Sequence, residues 1–202
     1  MDNNIKKKRL LSLAVISAFA QANDQSTTTN DVSGFYLGGG FGVTTADDNS
    51  TFFDLNLDSN DNAYKLIAGY QINRIVGIET QYTRYGDIYS KNTDPRTYAT
   101  PENFSVMANL GYTFDSGWRP FGTIGFGKTK IKSSISSDNE TSFHVGVGGE
   151  YSPNELKNLS LRVAYEVDGF TQEVQGNYGY YGVREDVTVT IGTFYVGASY
   201  KF

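Results

Sequence analysis

Five charged residues have the types and spacing to do chemistry together: Lys65, Glu79, Glu150, Arg162 and Glu166. Each lies in a stretch where apolar and polar residues alternate, so an extended chain turns all five toward one polar face. If the turn near position 155 pairs Tyr151 with Leu159, Glu150 lies diagonally across from Arg162, with Glu166 higher on the same strand. Lys65 and Glu79 reach the same face from neighbouring strands. A buried network of this kind is tolerable only while every charge keeps a partner. Its expected role is structural, a plug of charges. A gate that opens when partners exchange is the sharper alternative.

Two other motifs match known chemistry by letter and fail by context. Gly122 to Thr129 (GTIGFGKT) satisfies the phosphate-loop pattern, but that chemistry needs a loop of free N–H groups with a helix behind it. Here the match sits inside an alternating stretch that runs on to Ile131. Asp54 to Asp61 begins like a calcium loop, yet the sixth position is Ser59 and the twelfth is Lys65, which rejects an EF-hand. The surrounding Thr45 to Asn62 holds Asp47, Asp48, Asp54, Asp58 and Asp61 without a base. It reads as a solvated acidic loop, the alternative being a loose divalent-ion contact with anionic lipopolysaccharide. No catalytic residue, metal site or cofactor is expected.

The elements that must position the five charges have a period of two. Eight alternating stretches run Gly34–Thr44, Ala63–Ile72, Val76–Tyr85, Asn103–Phe114, Phe121–Ile131, Ser142–Tyr151, Leu159–Asp168 and Val187–Phe202. Most are about ten residues long, enough to cross a bilayer as tilted strands. Short connections (73–75, 115–119, 152–158) alternate with long ones (45–62, 86–102, 132–141, 169–186). Short turns at one end and long loops at the other are the mark of an up-and-down barrel in an outer membrane. One face of the strands is almost purely Val, Ile, Leu, Phe, Tyr, Ala and Gly; the other holds Lys65, Glu79, Gln81, Asn109, His144, Glu150, Arg162 and Glu166. A water-soluble barrel would bury the first face, whereas lipid contact requires it outside. The expected fold is therefore all-β, a transmembrane eight-stranded antiparallel up-and-down β-barrel, spanning 34–202.

Composition agrees. The 202 residues include 22 Gly, 15 Tyr and 13 Phe, a mixture poor for helices, and no Cys for disulfides or thiolate metal sites. A net charge of −5 speaks against nucleic acid as a partner, whose phosphates demand clustered Lys and Arg along the folded surface. Residues 1–22 pair Lys6, Lys7, Lys8 and Arg9 with the apolar run Leu10–Ala20 and the small-x-small step Ala20-Gln21-Ala22, the pattern of a secretory signal peptide. Its removal leaves a net charge of −8. Residues 23–33 read as a polar, flexible leader.

The last strand carries a resemblance. Its Gly192-Thr193-Phe194 step, followed by Gly197, Tyr200 and a closing Phe202, resembles the final strand of the Ail and outer membrane protein X family, with Lys201 where that family has Arg. Gly34–Gly40 and Pro120–Gly127 are similar to strands of the wider OmpA-like and opacity-type porin superfamily. The resemblance implies a monomer in a Gram-negative-type outer membrane, in contact with its lipid and lipopolysaccharide. It also implies that Gly197, Tyr200 and Phe202 form the signal read by the barrel assembly machinery. The fourth long loop, with Tyr178, Tyr180 and Tyr181 among Gly176, Gly179 and Gly182, has the adaptable contact chemistry of binding loops. By resemblance it would meet a surface ligand or host protein, in adhesion or membrane integrity. A narrow porin-like channel for small or apolar solutes is the alternative. Some related barrels modify lipid A with His and Ser; His144 and Ser142 reverse that order and face the interior, so an enzyme is not expected. Deleting Phe202 should sharply reduce assembly into the membrane, read as surface level in intact cells; normal levels would refute the signal.

Overall fold

The computed structural model describes residues 32–48, 57–59, 62–90, 99–133, 137–156, 158–178 and 181–202. The signal segment 1–22 and residues 23–31 of the 23–33 leader lie outside them, as do Asp54 and Asp61 of the acidic loop and Tyr180. Strands are β1 (Gly34–Asp48), β2 (Leu57–Ser59), β3 (Asn62–Gln71), β4 (Val76–Arg84), β5 (Ile88–Ser90), β6 (Ala99–Gly111), β7 (Trp118–Ser133), β8 (Ser137–Tyr151), β9 (Leu159–Tyr178) and β10 (Tyr181–Lys201). Eight of them form the wall, in the ring order β6-β4-β3-β1-β10-β9-β8-β7, and the β6–β7 pairing closes it. Every pairing is antiparallel. β2 and β5 are short and pair with each other beyond the wall. Closure leaves the wall no open edge, which is what lets strands cross lipid.

The alternation sorts side chains as the sequence predicts. Leu37, Phe41, Leu66, Ile78, Phe104, Val106, Ile124, Phe126, Val147, Val163 and Val196 all point outward and are exposed, while the residues between them are largely buried inside. From Phe194 to Phe202 the outward apolar positions cover about 27 Å along the strand, or about 20 Å once tilted, close to the ~25 Å band of a membrane barrel. Aromatic pairs mark both edges. Phe35–Tyr70, Tyr112–Phe114 and Trp118–Tyr151 lie at the short-turn end; Phe41–Tyr64 and Phe126–Phe143 lie toward the other.

The short turns are built from local hydrogen bonds. Asn73 Oδ1 accepts from the N–H groups of Ile75 (2.8 Å) and Val76 (2.9 Å), fixing the β3–β4 turn. Arg74 in that turn pairs with Asp115 in the next at 2.8 Å.

At the long-loop end the strands run further than the sequence predicts. β9 and β10 are 20 and 21 residues and pair continuously from Leu159–Tyr200 to Tyr178–Tyr181, so most of the expected fourth loop is a β-hairpin. β7 and β8 similarly narrow the third. Residues 172–186 mix Gln, Glu, Asn, Arg and Asp with Val, Gly and Tyr, so the hydrophobic alternation that signals a strand is weak there although pairing continues. The folded barrel should migrate differently in detergent gels before and after boiling; unchanged migration, with solubility in the absence of detergent, would contradict this architecture.

Candidate functional site

Eight strands leave an interior just wide enough for side chains, and here those side chains are polar. Arg162 on β9 reaches Glu79 on β4, its opposite strand in the ring of eight, through two hydrogen bonds of 2.8 and 2.7 Å. The same guanidinium donates to Glu150 at 2.8 and 2.6 Å. The register pairs Tyr151 with Leu161 rather than Leu159, so Glu150 stands directly opposite Arg162 instead of diagonal to it. Residues 152–158, with a 3₁₀ turn at Asn154–Leu156, take up the two-residue difference. A second centre lies above. Lys65 on β3 donates to Glu166 (2.8 Å), Thr83 (3.0 Å) and Gln81 (3.2 Å). Gln81 joins the two centres by donating to both Glu79 (2.7 Å) and Glu166 (3.1 Å). All five charged residues singled out above therefore meet in one network, and four of them are at least 95 % buried.

Several members of this network escaped the sequence reading. Arg119, assigned there to a turn, is buried on β7 and pairs with Glu150 at 3.2 Å. Tyr36 donates to Glu79 (2.6 Å) and Tyr195 to Glu166 (2.8 Å). Both rings need glycine opposite them. A Cβ on Gly69 would collide with the Tyr36 ring, and one on Gly40 would stand 2.7 Å from the Tyr195 ring. The Phe121 ring lies beneath both guanidiniums, 4.8 Å from Arg162 and 5.7 Å from Arg119.

Nearer the long-loop end, His144 Nδ1 donates to Asp168 at 3.0 Å, and Tyr85 donates to the other oxygen of that carboxylate. His144 Nε2 lies 3.4 Å from Thr123 Oγ1. Thr123, His144 and Asp168 thus follow the hydroxyl–imidazole–carboxylate order of a nucleophilic relay, but all three are at least 96 % buried and packed within the plug. Ser142 is instead tied to Asn103, which donates to it at 2.7 Å. The described interior thus brings the basic side chains Lys65, Arg119 and Arg162 against the carboxylates Glu79, Glu150, Glu166 and Asp168. Above them the filling turns apolar: Tyr85, Ile88, Phe170, Val189 and Ile191 form a buried cluster with Ala46 and Ile131.

The other predicted residues lie outside the interior. Gly197 sits against Gly40 across the β1–β10 seam, while Tyr200 and Phe202 are 50 % and 62 % exposed near the short-turn end. Tyr178 and Tyr181 are register partners at the end of the β9–β10 ladder. Gly122 to Thr129 lies within β7, its backbone committed to ladders with β6 and β8. Among the described residues no group of His, Asp and Glu could hold a metal ion.

A closed antiparallel barrel with an apolar exterior and an ionic interior is a small outer-membrane barrel. The sequence matches the family described as outer membrane protein beta-barrel domain over residues 10–202, and the chain belongs to that family, whose members lie in Gram-negative outer membranes. A search of curated proteins gives no match. Among solved structures it is similar to OprG of Pseudomonas aeruginosa (15 % identity, 86 % of this chain and 97 % of that one, TM-score 0.61). It is also similar to Neisserial surface protein A (20 %, 84 % and 98 %, 0.57) and to Ail, the attachment invasion locus protein of Yersinia pestis (22 %, 85 % and 100 %, 0.50). These likenesses are likenesses of fold.

Replacing Arg162 with Met leaves Glu79 and Glu150 buried without their main partner and should cost about 3–5 kcal/mol in urea unfolding from lipid vesicles. Adding Glu79→Gln and Glu150→Gln should recover most of that loss. A cost below about 1 kcal/mol for the single change would mean that the pair is solvated rather than buried.

Proposed function

We propose that this protein is a non-conducting, non-enzymatic outer-membrane barrel that acts through its external surface, with the β9–β10 hairpin as its contact element. The observation that carries the reading is the network around Arg162, which spans the interior from β9 to β4 and occupies the path an ion would take. With the interior filled, the parts free to vary in contact are those beyond the apolar band. Most prominent is the hairpin bearing Tyr178, Tyr180 and Tyr181, where aromatic area at low entropy cost favours a protein or glycan partner. The names of two similar proteins, a surface protein and an attachment invasion locus protein, point the same way. On this reading residues 1–22 direct export, Gly197, Tyr200 and Phe202 are read during assembly, and the barrel works as a monomer in contact with lipopolysaccharide.

A second reading, passage of small apolar solutes, has its own support. The β8–β9 ladder stops at Phe143–Gly169 while both strands continue, and Phe170 of the apolar cluster sits beside that break. A solute entering from outside could leave there toward the outer leaflet without crossing the plug.

Planar-bilayer recordings should show no steady ionic conductance, and steady conductance would sink the plugged-barrel account. Shortening the hairpin by removing 172–186 should abolish binding of expressing cells in a screen of host proteins and glycans while heat-modifiable migration persists. Undiminished binding would shift the contact role to the other loops.

A further inference from the structure

The β4–β6 ladder runs in register to Arg84–Glu102, and the next pair in line is Tyr85–Pro101. Partners in such a pair exchange two hydrogen bonds. Tyr85 N donates to Pro101 O at 3.0 Å, but proline has no N–H to give in return. The wall therefore releases the chain at Tyr85, and the period of two stops there, with Tyr85 and Gly86 buried in succession. Among the described residues, β5 is then held to ladders by three pairs with β2 and by the single pair Ile88–Ala99 with β6.

Released from the wall, residues 85–88 cross the outer mouth of the barrel. On the near side Thr100 donates to Asp87 at 2.6 Å, which ties the segment to β6. The β1–β3 ladder ends at Val43–Asn62, and beyond it Gly86 N donates to the Thr44 hydroxyl of β1 at 2.9 Å. Tyr85 reaches furthest, its phenol donating to Asp168 on β9, the strand opposite β4 in the ring of eight. Ile88 enters the apolar cluster of Phe170, Val189 and Ile191. Toward β6 the segment is fastened by backbone and side chain, whereas toward β1 and β9 it hangs on the bonds to Thr44 and Asp168 and on the apolar contact of Ile88. An element with few ladder bonds is among the first to open locally. The bond to a carboxylate is the stronger of the two.

We propose that residues 85–88 form a strap, hinged on β6 and latched to β1 and β9, that opens and closes the outer end of the interior. The Tyr85 phenol is its main latch and the Thr44 hydroxyl its second. Closed, the strap covers the apolar layer; open, it bares Phe170, Val189 and Ile191 to the outside. The ionic layers below stay shut, because the described bonds of Lys65 and Arg162 do not involve the strap. The strap depends neither on what the external hairpin contacts nor on whether a solute enters.

The chain has no Cys, so an introduced thiol is unique. Ile191→Cys places one in the apolar layer, and Ser105→Cys places one at the level of Gln81, its register partner. Thr171→Cys, at an exposed position on β9, sets the intrinsic rate. The measurement is the rate at which a membrane-impermeant maleimide labels each thiol in intact expressing cells. When closing outpaces labelling, that rate follows the open population. In the Ile191→Cys background, Tyr85→Phe should speed labelling on the order of ten- to a hundred-fold, the effect of losing a bond to a carboxylate. Thr44→Val, which removes a bond between neutral groups, should speed it about five-fold. Labelling at Ser105→Cys should stay negligible in both. Should Tyr85→Phe not assemble, as read by heat-modifiable migration, Thr44→Val makes the same comparison. No rise at Ile191→Cys would overturn the strap. An equal rise at Ser105→Cys would overturn it too, since the whole interior would then have loosened.

Discussion

One guanidinium holds the interior together. Arg162 bonds to Glu79 across the full ring of strands and to Glu150 on the adjacent strand, so it fixes both the width of the barrel and the β8–β9 register. In a soluble domain a one-residue slip turns apolar side chains out into water. Here the layers around Arg162 are ionic, and the same slip on either strand would turn a carboxylate out toward lipid. The penalty for an unpaired buried charge thus becomes a source of fold specificity, added to the ladder hydrogen bonds that every register offers. Gly40 and Gly69 serve the same end, because each leaves room for the tyrosine that supplies another hydrogen bond to a buried carboxylate.

The exterior obeys a different solvent. Lipid asks only that outward side chains be apolar, which explains why Leu66, Phe126 and Val147 are about two-thirds exposed in the isolated chain. It makes no demand beyond the band, and there the strands become ordinary water-exposed β structure with polar residues on the outside. The lysines of β7 and the threonines of β8, β9 and β10 mark where one solvent gives way to the other.

That division also explains what could be read in advance. The wall was legible wherever lipid and lumen impose opposite demands, and so were the faces of Lys65, Glu79, Glu150, Arg162 and Glu166, since a period of two fixes them together. Their partners were not. Which carboxylate meets which cation depends on the register, and a turn of several residues such as 152–158 can absorb a two-residue shift without any change in pattern. Tyr36, Tyr85 and Tyr195 escaped because tyrosine suits both an interfacial girdle and a buried hydrogen bond. Arg119 escaped because its strand begins one residue before it, with Trp118. The outer hairpins read as loops because no lipid required their residues to alternate.

The vertical order of the filling bears on function more directly than its composition. The ionic layers lie toward the short turns and the apolar cluster of Phe170, Val189 and Ile191 toward the long hairpins. An aqueous pore would need polar groups with free hydrogen-bonding capacity along its whole length. This interior instead offers carboxylates already held by cations and hydroxyls, then a layer with nothing to offer an ion. An ion entering from outside would lose its hydration at the apolar layer and then have to separate Lys65 from Glu166 and Arg162 from Glu79 to continue. An apolar solute would meet the opposite sequence, favourable at the outer layer and blocked below it. On the proposed function, the same stacking that opposes ion passage also confines any apolar exchange to the outer end, below the projecting β9–β10 hairpin.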